Sequence, residues 1–489
     1  MPLVLAIDEG TTGVRAMVFD EHSALRGAAY EEITAAFPRS GWMEQDPLHI
    51  WAATQRVVAD ALAAAGVAAR DLAAVGVAVQ RATTIVWERA TGLPLYPAIS
   101  WQDTRTVTRV EELLAQGIFT NALCSATKLE WVLRERGAAA RAAAGELCFG
   151  TIDTWLLWQL SGGRVHATDH SNASCTGLYD FLGGGWDASV TGALAIPDAV
   201  LPRIVDSSGV CGQTDAAVFG AAVPLAGVAG DQQAAMFGEL CTDVGAAKIT
   251  FGTSAMIDVN TGEYPVLSQH GAYPIILWSL AGQRRTGLEG TVMTAGAAVQ
   301  WLRDGLGIIA SAAECGPLAA SVPDSGGVWA VPAFQGIGTP YMDPGARAVL
   351  GGLSRGTTRA HIVRAVLEGI AFRTREAFTA LLADAGATAP ERLRIDGGVA
   401  ANDVFLQCLA DILGQAVERP ETVQATALGT AYLAGMASGV WSGVDEVRGA
   451  WRSGGIFEPR LGADERDARF AAWQQAVGAA RLGAGPRPA

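Results

Sequence analysis

Lysine is almost missing from this chain: Lys128 and Lys248 are the only two in 489 residues, and neither follows a glycine. That excludes a Walker A phosphate loop. No Gly-x-Gly-x-x-Gly follows a strand near the start, which argues against a dinucleotide-binding unit. The seven cysteines (Cys124, Cys148, Cys175, Cys211, Cys241, Cys315, Cys408) form no CxxC pair, so neither a disulfide framework nor a zinc ribbon is expected. His166 and His170 stand four apart without the Glu of a zinc-protease helix, and Gly252-Thr253-Ser254 lacks the second glycine of a nucleophile elbow. Charge is sparse at 17%, and a net charge of −14 argues against nucleic acid or anionic membrane as a partner. Apolar runs long enough to span a bilayer are lacking. Met1 to Ile7 has no basic segment and its run ends at Asp8, while Ala216 to Gly230 is too short and too interrupted to span a bilayer. A soluble, cytoplasmic protein is the expectation.

What is present suits a large α/β enzyme. Half the residues are hydrophobic, and 489 residues exceed what one core usually supports, so two domains are expected. Val4 to Ile7 and Val14 to Phe19 read as strands flanking Asp8-Glu-Gly-Thr-Thr-Gly13. A tight turn there presents backbone N–H groups and two hydroxyls beside a carboxylate, which is what a nucleotide phosphate with Mg²⁺ needs. An ordinary hairpin is the plainer reading of the same residues. A related strand–turn–strand recurs at Ala247 to Asn260 around Gly252-Thr-Ser254. One such unit in each half implies duplication, with a nucleotide held between two domains.

Between the hairpins, helices and strands alternate. Asp46-Pro47 reads as N-cap and first residue of a helix to Ala64, and Leu72 to Val79 as a buried strand. Leu147 to Leu160, with Trp155 and Trp158, reads as a core helix. Ala222 to Ala229 reads as a strand running into Gly230-Asp231-Gln232 and an apolar helix to Leu240. Later, Ile362 to Leu382 reads as helix, Leu393 to Ile395 as strand, and Asp396-Gly-Gly398 as the turn into a helix from Asn402. The boundaries expected are 1–240 for the first domain and 241–482 for the second, with 483–489 a disordered tail.

These pieces together resemble the FGGY carbohydrate kinases, and within them the glycerol kinases. The matching motifs are Gly41-Trp-Met-Glu-Gln-Asp-Pro47, Gln80-Arg81, Trp101-Gln-Asp103, Phe149-Gly-Thr-Ile-Asp-Thr-Trp155 and Thr168-Asp-His-Ser-Asn-Ala-Ser174. Ala229-Gly-Asp-Gln-Gln-Ala234, Phe251-Gly-Thr253, the segment from Ala295 to Asp304, Tyr341 to Arg347 and Asp396-Gly-Gly398 follow in the same order. The resemblance implies two RNase H-like domains of the actin and hexokinase ATPase type with an interdomain cleft, the use of ATP and Mg²⁺, and a small polyol or sugar as acceptor. It also implies homodimers or homotetramers. Carried over, Asp8 helps hold the metal, Thr11, Thr12 and Arg15 lie at the phosphates, and Thr253, Gly296, Gln300, Gly398 and Asn402 line the nucleotide site. Gly398 suits this independently, because a residue without Cβ lets the backbone approach an adenosine closely.

Asp231 is the candidate general base. Taken alone, an Asp between a Gly-ended strand and an apolar helix is most simply an N-cap. The two roles agree, since a helix N-terminus favours the carboxylate, and a loose phosphoryl-transfer transition state needs little proton removal beforehand. Arg81, Trp101, Asp231 and Gln232 match the glycerol-kinase acceptor pocket, but its Glu, Tyr and Phe positions are Ala82, Leu123 and Met256. Those replacements imply either weak glycerol kinase activity or another polyol, sugar or sugar acid as acceptor, and they leave open an inactive relative with a binding role. The loop Phe219 to Pro224 carries no arginine, so control by fructose 1,6-bisphosphate through that loop is not expected.

Overall fold

Leu3–Gly10 and Gly13–Asp20 pair antiparallel with Gly10 opposite Gly13, leaving Thr11-Thr12 as a two-residue turn. The first strand is buried from Leu3 to Glu9 because it lies inside a sheet. Leu72–Val79 runs parallel to it on one side, with parallel Pro224–Gly230 beyond, and Leu25–Glu32 lies outside Gly13–Asp20. The computed structural model describes residues 2–421 and 424–482, so the tail expected at 483–489 lies outside the described residues.

Strand alternation sorts the two faces of this sheet. Leu3, Leu5, Ile7, Val14, Ala16, Val75 and Val77 face a core completed by Ile50, Ala53 and Val57 of helix Pro47–Ala65. That helix starts as expected, with the Asp46 carboxylate accepting from the Leu48 N–H at 2.9 Å. The opposite face is made of small residues. A Cβ on Gly76 would stand 2.7 Å from the Thr430 carbonyl oxygen, and one on Gly227 2.6 Å from the Ala434 nitrogen. Helix Ala425–Ala437 therefore lies with its backbone directly on the strands. Helix Asp231–Gly238 meets it equally closely, a Cβ on Gly429 falling within van der Waals exclusion of Ala234.

That packing shapes the domain division. The chain divides into two units: one takes residues up to Leu240 together with Ile275–Arg285 and Gln424–Ala450, the other takes Cys241–Pro274, Thr286–Val423 and the segment from Trp451. Ile275–Arg285 and Gln424–Ala450, both beyond residue 240, pack with the first unit, and for Gln424–Ala450 the reason is the glycine-lined face just described.

Two local expectations are corrected. Leu147–Gly150 is a strand paired with Ile85–Glu88, and helix begins only at Ile152. An unbroken apolar run carries no period to tell the two apart. Helix Asp231–Gly238 has Gly230 at its N-cap, so Asp231 is its first residue rather than its cap.

In the second unit the predicted hairpin forms from Ala247–Phe251 and Ala255–Gly262, with Phe251 opposite Ala255 around Gly252-Thr253-Ser254. Leu393–Asp396 runs parallel to its first strand, and Asn402 caps helix Asp403–Leu413. The helix expected from Ile362 to Leu382 is longer, Arg359–Ala385. Among the described residues, no helix is long and apolar enough to cross a membrane.

Candidate active site

The end of the first strand and the start of the Asp231 helix bring two carboxylates together. Asp8 stands opposite Arg15, whose Nη1 lies 3.6 Å from Asp8 Oδ2. Burial lifts the Asp8 carboxyl from its ordinary 3.8 to about 6; Arg15 opposes the rise and the charge of Asp231 adds to it. A carboxylate made costly by burial and by a second carboxylate is one that a cation would relieve. Among the described residues no cluster of three His, Cys, Asp or Glu side chains forms a metal cage. Mg²⁺ is typically held by one or two carboxylates, substrate phosphates and waters, and a buried carboxylate such as Asp8 is a donor that would suit it.

Glu9, next in the strand, is fully buried and serves the fold. Its backbone carbonyl accepts from the Gln80 N–H at 2.6 Å and its Oε1 from Gln80 Nε2 at 3.0 Å. Burial, well ahead of any other influence, pushes its carboxyl far above the ordinary range. Burial thus disfavours the charged form of Glu9, so the extra negative charge its residue type suggests is costly here.

Asp231 is held on two sides. Its Oδ1 accepts the Gln232 backbone N–H at 2.8 Å and lies 3.4 Å from Arg81 Nε. Gln232 thereby turns its backbone toward the carboxylate. Arg81 Nη1 also reaches Cys175 Sγ at 3.9 Å. At its N1 position the carboxylate sits at the positive end of a helix, which favours ionisation. Trp101 is joined to the Thr11-Thr12 turn, its Nε1 donating to Thr11 Oγ1 at 3.0 Å. Thr12 is exposed beside Thr11 at the tip of the turn. Asp8, Thr11, Thr12, Arg15, Arg81, Trp101, Asp231 and Gln232 all belong to the first unit.

The three replaced acceptor positions differ in character. Ala82 is buried and sits at φ +60°, a left-handed conformation rarely taken by a residue with a Cβ and a mark of stored strain. Its carbonyl accepts from Ser125 Oγ at 3.0 Å and Thr84 Oγ1 at 3.3 Å, which holds that conformation. Leu123 is 44% exposed, and its carbonyl accepts from Lys128 Nζ at 3.3 Å. Met256 is in the second unit, its Sδ 3.7 Å from Thr291 Oγ1.

The nucleotide candidates Thr253, Gly296, Gln300, Gly398 and Asn402 all fall in the second unit. The Thr253 carbonyl accepts from the N–H groups of Ala295 and Ala297, each at 3.0 Å, so the hairpin turn and the helix Gly296–Gln300 are one piece. A Cβ on Gly296 would lie 2.5 Å from the Gly252 oxygen and 3.5 Å from Val399, which brings the Gly398 segment alongside. A Cβ on Gly398 would meet nothing within 4 Å. Asn402 spends its Oδ1 on the N–H groups of Val404 and Phe405, at 3.0 and 3.2 Å. Gln300 is exposed at the end of its helix.

Sequence reasoning assigned no role to Gln45, Gln80, Thr83 or Lys128. Lys128 is wholly buried, and its Nζ also donates to the Trp101 carbonyl at 3.0 Å. Its one signal in the sequence is scarcity, as one of two lysines in the whole chain. Gln45 and Gln80 lay inside quoted motifs, but an uncharged amide advertises no chemistry.

Comparison with known proteins adds independent findings. Residues 3–238 match the N-terminal domain of the FGGY family of carbohydrate kinases and residues 247–438 match its C-terminal domain. The chain is 49% identical to a glycerol kinase of Aromatoleum aromaticum, covering 98% of this chain and 99% of the relative. It is 45% identical to a glycerol kinase of Petrotoga mobilis, covering 98% of each. Its structure is similar to that of Plasmodium falciparum glycerol kinase with ADP, with a TM-score of 0.93, 31% identity and 98% of each chain covered.

Proposed function

The chain belongs to the FGGY family of carbohydrate kinases, and on that premise we propose that it transfers the γ-phosphoryl group of ATP to a hydroxyl of glycerol. Near-full-length similarity to glycerol kinases supports this acceptor. The observation that carries the mechanism is Asp231, placed at a helix N-terminus, 3.4 Å from Arg81 Nε and in the same unit as the Thr11-Thr12 turn.

Arg81 and Trp101 frame the acceptor, and Gln232 lies beside the reacting hydroxyl. Asp231 accepts that hydroxyl's proton as the new O–P bond forms and the bond to ADP breaks. A helix-terminal Asp is a weak base, which suffices because a loose transition state releases the proton late. Most of the rate enhancement then comes from alignment and from charge stabilisation by Arg15 and the N–H groups of the turn. Mg²⁺, held by Asp8, supplies neutralisation of phosphate charge when bound. On the nucleotide side Thr253, Gly296, Gln300, Gly398 and Asn402 hold ATP. A cytoplasmic location fits this substrate supply.

A second acceptor reading has a specific observation behind it. Ala82, Leu123 and Met256 present no carboxylate, phenol or aromatic ring to a small polyol, which gives up about 0.5–1.5 kcal/mol for each hydrogen bond not made. A larger polyol, a sugar or a sugar acid would use the space. Release of ADP from the purified protein, screened against glycerol, C3 to C6 polyols, sugars and sugar acids, tests both. Turnover with glycerol at ordinary kinase efficiency establishes the first reading; turnover confined to a longer acceptor replaces it with the second. ATP consumption with none of them removes both.

A further inference from the structure

Thr11 and Trp101 stand on the two sides of the proposed reaction, the phosphate turn and the acceptor wall. A closed ring of hydrogen bonds joins them through residues that touch neither substrate in the reading above. Gln80 is its hub: Nε2 donates to Gln45 Oε1 at 3.0 Å, and Oε1 accepts from Thr83 Oγ1 at 3.0 Å. Gln45 Nε2 donates to the Thr11 carbonyl at 2.9 Å. Thr83 Oγ1 accepts the Trp101 backbone N–H at 3.2 Å, and Trp101 Nε1 closes the ring on Thr11 Oγ1 at 3.0 Å. Gln45, Gln80 and Thr83 are each no more than 1% exposed, so water does not compete for these bonds. The second Gln80 N–H goes to Glu9 Oε1 at 3.0 Å, fastening the hub to the strand that ends in the phosphate turn. On the other side Gln80 leads directly into Arg81, the residue that steadies Asp231.

Such a ring is more than filler for a polar core. Its members come from four separate stretches of chain, at Thr11, Gln45, Gln80 to Thr83 and Trp101, and every amide group of Gln80 is used in a fixed direction. Thr83 binds Gln80 and Trp101 but not Thr11, whereas Gln45 binds Gln80 and Thr11 but not Trp101. Each of the two reaches the far side only through the ring.

We propose that Gln80 is a positioning residue whose ring sets the phosphate turn and the acceptor wall in one mutual geometry, so that residues beside one substrate govern affinity for the other. This rests on the reading that Thr11 faces ATP and Trp101 the acceptor. The test uses Thr83→Val, Gln45→Met, their double variant and Thr83→Ser in the full-length protein. ADP affinity is measured by calorimetry, glycerol KM and kcat by ADP release, and folding by thermal unfolding. Thr83→Val is expected to weaken ADP binding, and Gln45→Met to raise glycerol KM, each by about 3- to 10-fold, the value of one hydrogen bond. Thr83→Ser restores both quantities. The double variant is no worse than the worse single one, because a ring already opened is not opened again. ADP affinity unchanged in Thr83→Val, multiplicative losses in the double variant, or no rescue by Ser overturns the proposal. Should Thr83→Val fail to fold, Gln45→Met decides through glycerol KM. A wild-type protein that binds ADP but does not turn over glycerol defeats the acceptor reading alone, and the ADP arm still decides the ring; one that does not bind ADP defeats both.

Discussion

The two hairpins share a plan and divide the labour. The first closes around Thr11-Thr12 and carries Asp8 and Arg15 within three residues of its turn. The second closes around Gly252-Thr253-Ser254 and keeps its charge farther back, where Lys248 Nζ meets Asp258 Oδ2 at 3.1 Å with both side chains almost wholly buried. Charge at the turn is available to a ligand, whereas charge deep in the strand is spent on the fold. A duplicated scaffold has thus put acid and cation chemistry in one unit and neutral donors with open backbone in the other.

The sharpest way to break this contrast is at Asp231. Asp231→Asn is expected to lower kcat by about 10²- to 10⁴-fold, the usual range for a general base, with ADP affinity nearly unchanged by calorimetry. Near-normal turnover would remove Asp231 from the mechanism.

Paired substitutions in the two hairpins come next. Asp258→Asn leaves a buried ammonium short of its carboxylate and should cost about 3–5 kcal/mol of stability, read by denaturant unfolding. Asp8→Asn should do the opposite. Its carboxyl is raised from 3.8 to about 6, so the folded state holds the proton more tightly, and the stability it contributes at low pH is lost as pH passes 6. At pH 7 the Asn variant is therefore expected to unfold no more easily than the wild type, while turnover falls by about 10- to 100-fold through weakened metal binding. Equal effects of the two substitutions on stability would erase the distinction.

Much of this contrast was legible before any coordinates. The apolar runs Val4 to Ile7 and Val14 to Phe19 around the doublet Thr11-Thr12 are local patterns, as are Asp46-Pro47 and Asn402 before their helices, and the first hairpin and both helix starts follow from them. Periodicity failed at Leu147–Gly150, where every residue is apolar, and it gave Asp231 the cap position that Gly230 holds. Long-range facts were out of reach. That Gln424–Ala450 rejoins the first unit depends on Gly76 and Gly227 making a bare face for it, a match between residues hundreds apart. The ring through Gln45, Gln80 and Thr83 is likewise a property of three dimensions, and the upward push on the Glu9 carboxyl comes from burial that its neighbours in sequence do not reveal.

Two glycines separate scaffold from site within the second unit. A Cβ on Gly296 would collide with the Gly252 oxygen, so Gly296→Ala costs stability whatever binds there. Gly398 has empty space about it and no positive φ, so Gly398→Ala should leave the unfolding temperature in place. If the nucleotide uses that space, the ATP KM of Gly398→Ala still rises, by about 10-fold, as expected of a methyl group where an adenosine packs. An unchanged KM would move the nucleotide away from Gly398.

The two lysines extend the contrast to its smallest measurable effect. Lys248 has a carboxylate for a partner, whereas Lys128 Nζ donates to two carbonyls, at Trp101 and Leu123. Burial lowers Lys128 from 10.5 to about 8, with Arg105 acting in the same direction and Cys124 and Asp103 opposing. Between those values the unfolded chain holds a proton that the folded one has released, so stability rises with pH from about 8 toward 10.5 and is lost as pH falls through 8. One proton changes stability by at most ~1.4 kcal/mol per pH unit. Cys124 runs the other way: burial raises it from 9.0 to about 11, so its contribution falls as pH climbs past 9. The window from pH 8 to 9 therefore isolates the lysine, and there Lys128→Met should flatten the rise in stability that denaturant unfolding records for the wild type. A slope that survives the substitution would assign the titration elsewhere and leave Lys128 as a neutral prop for the acceptor wall.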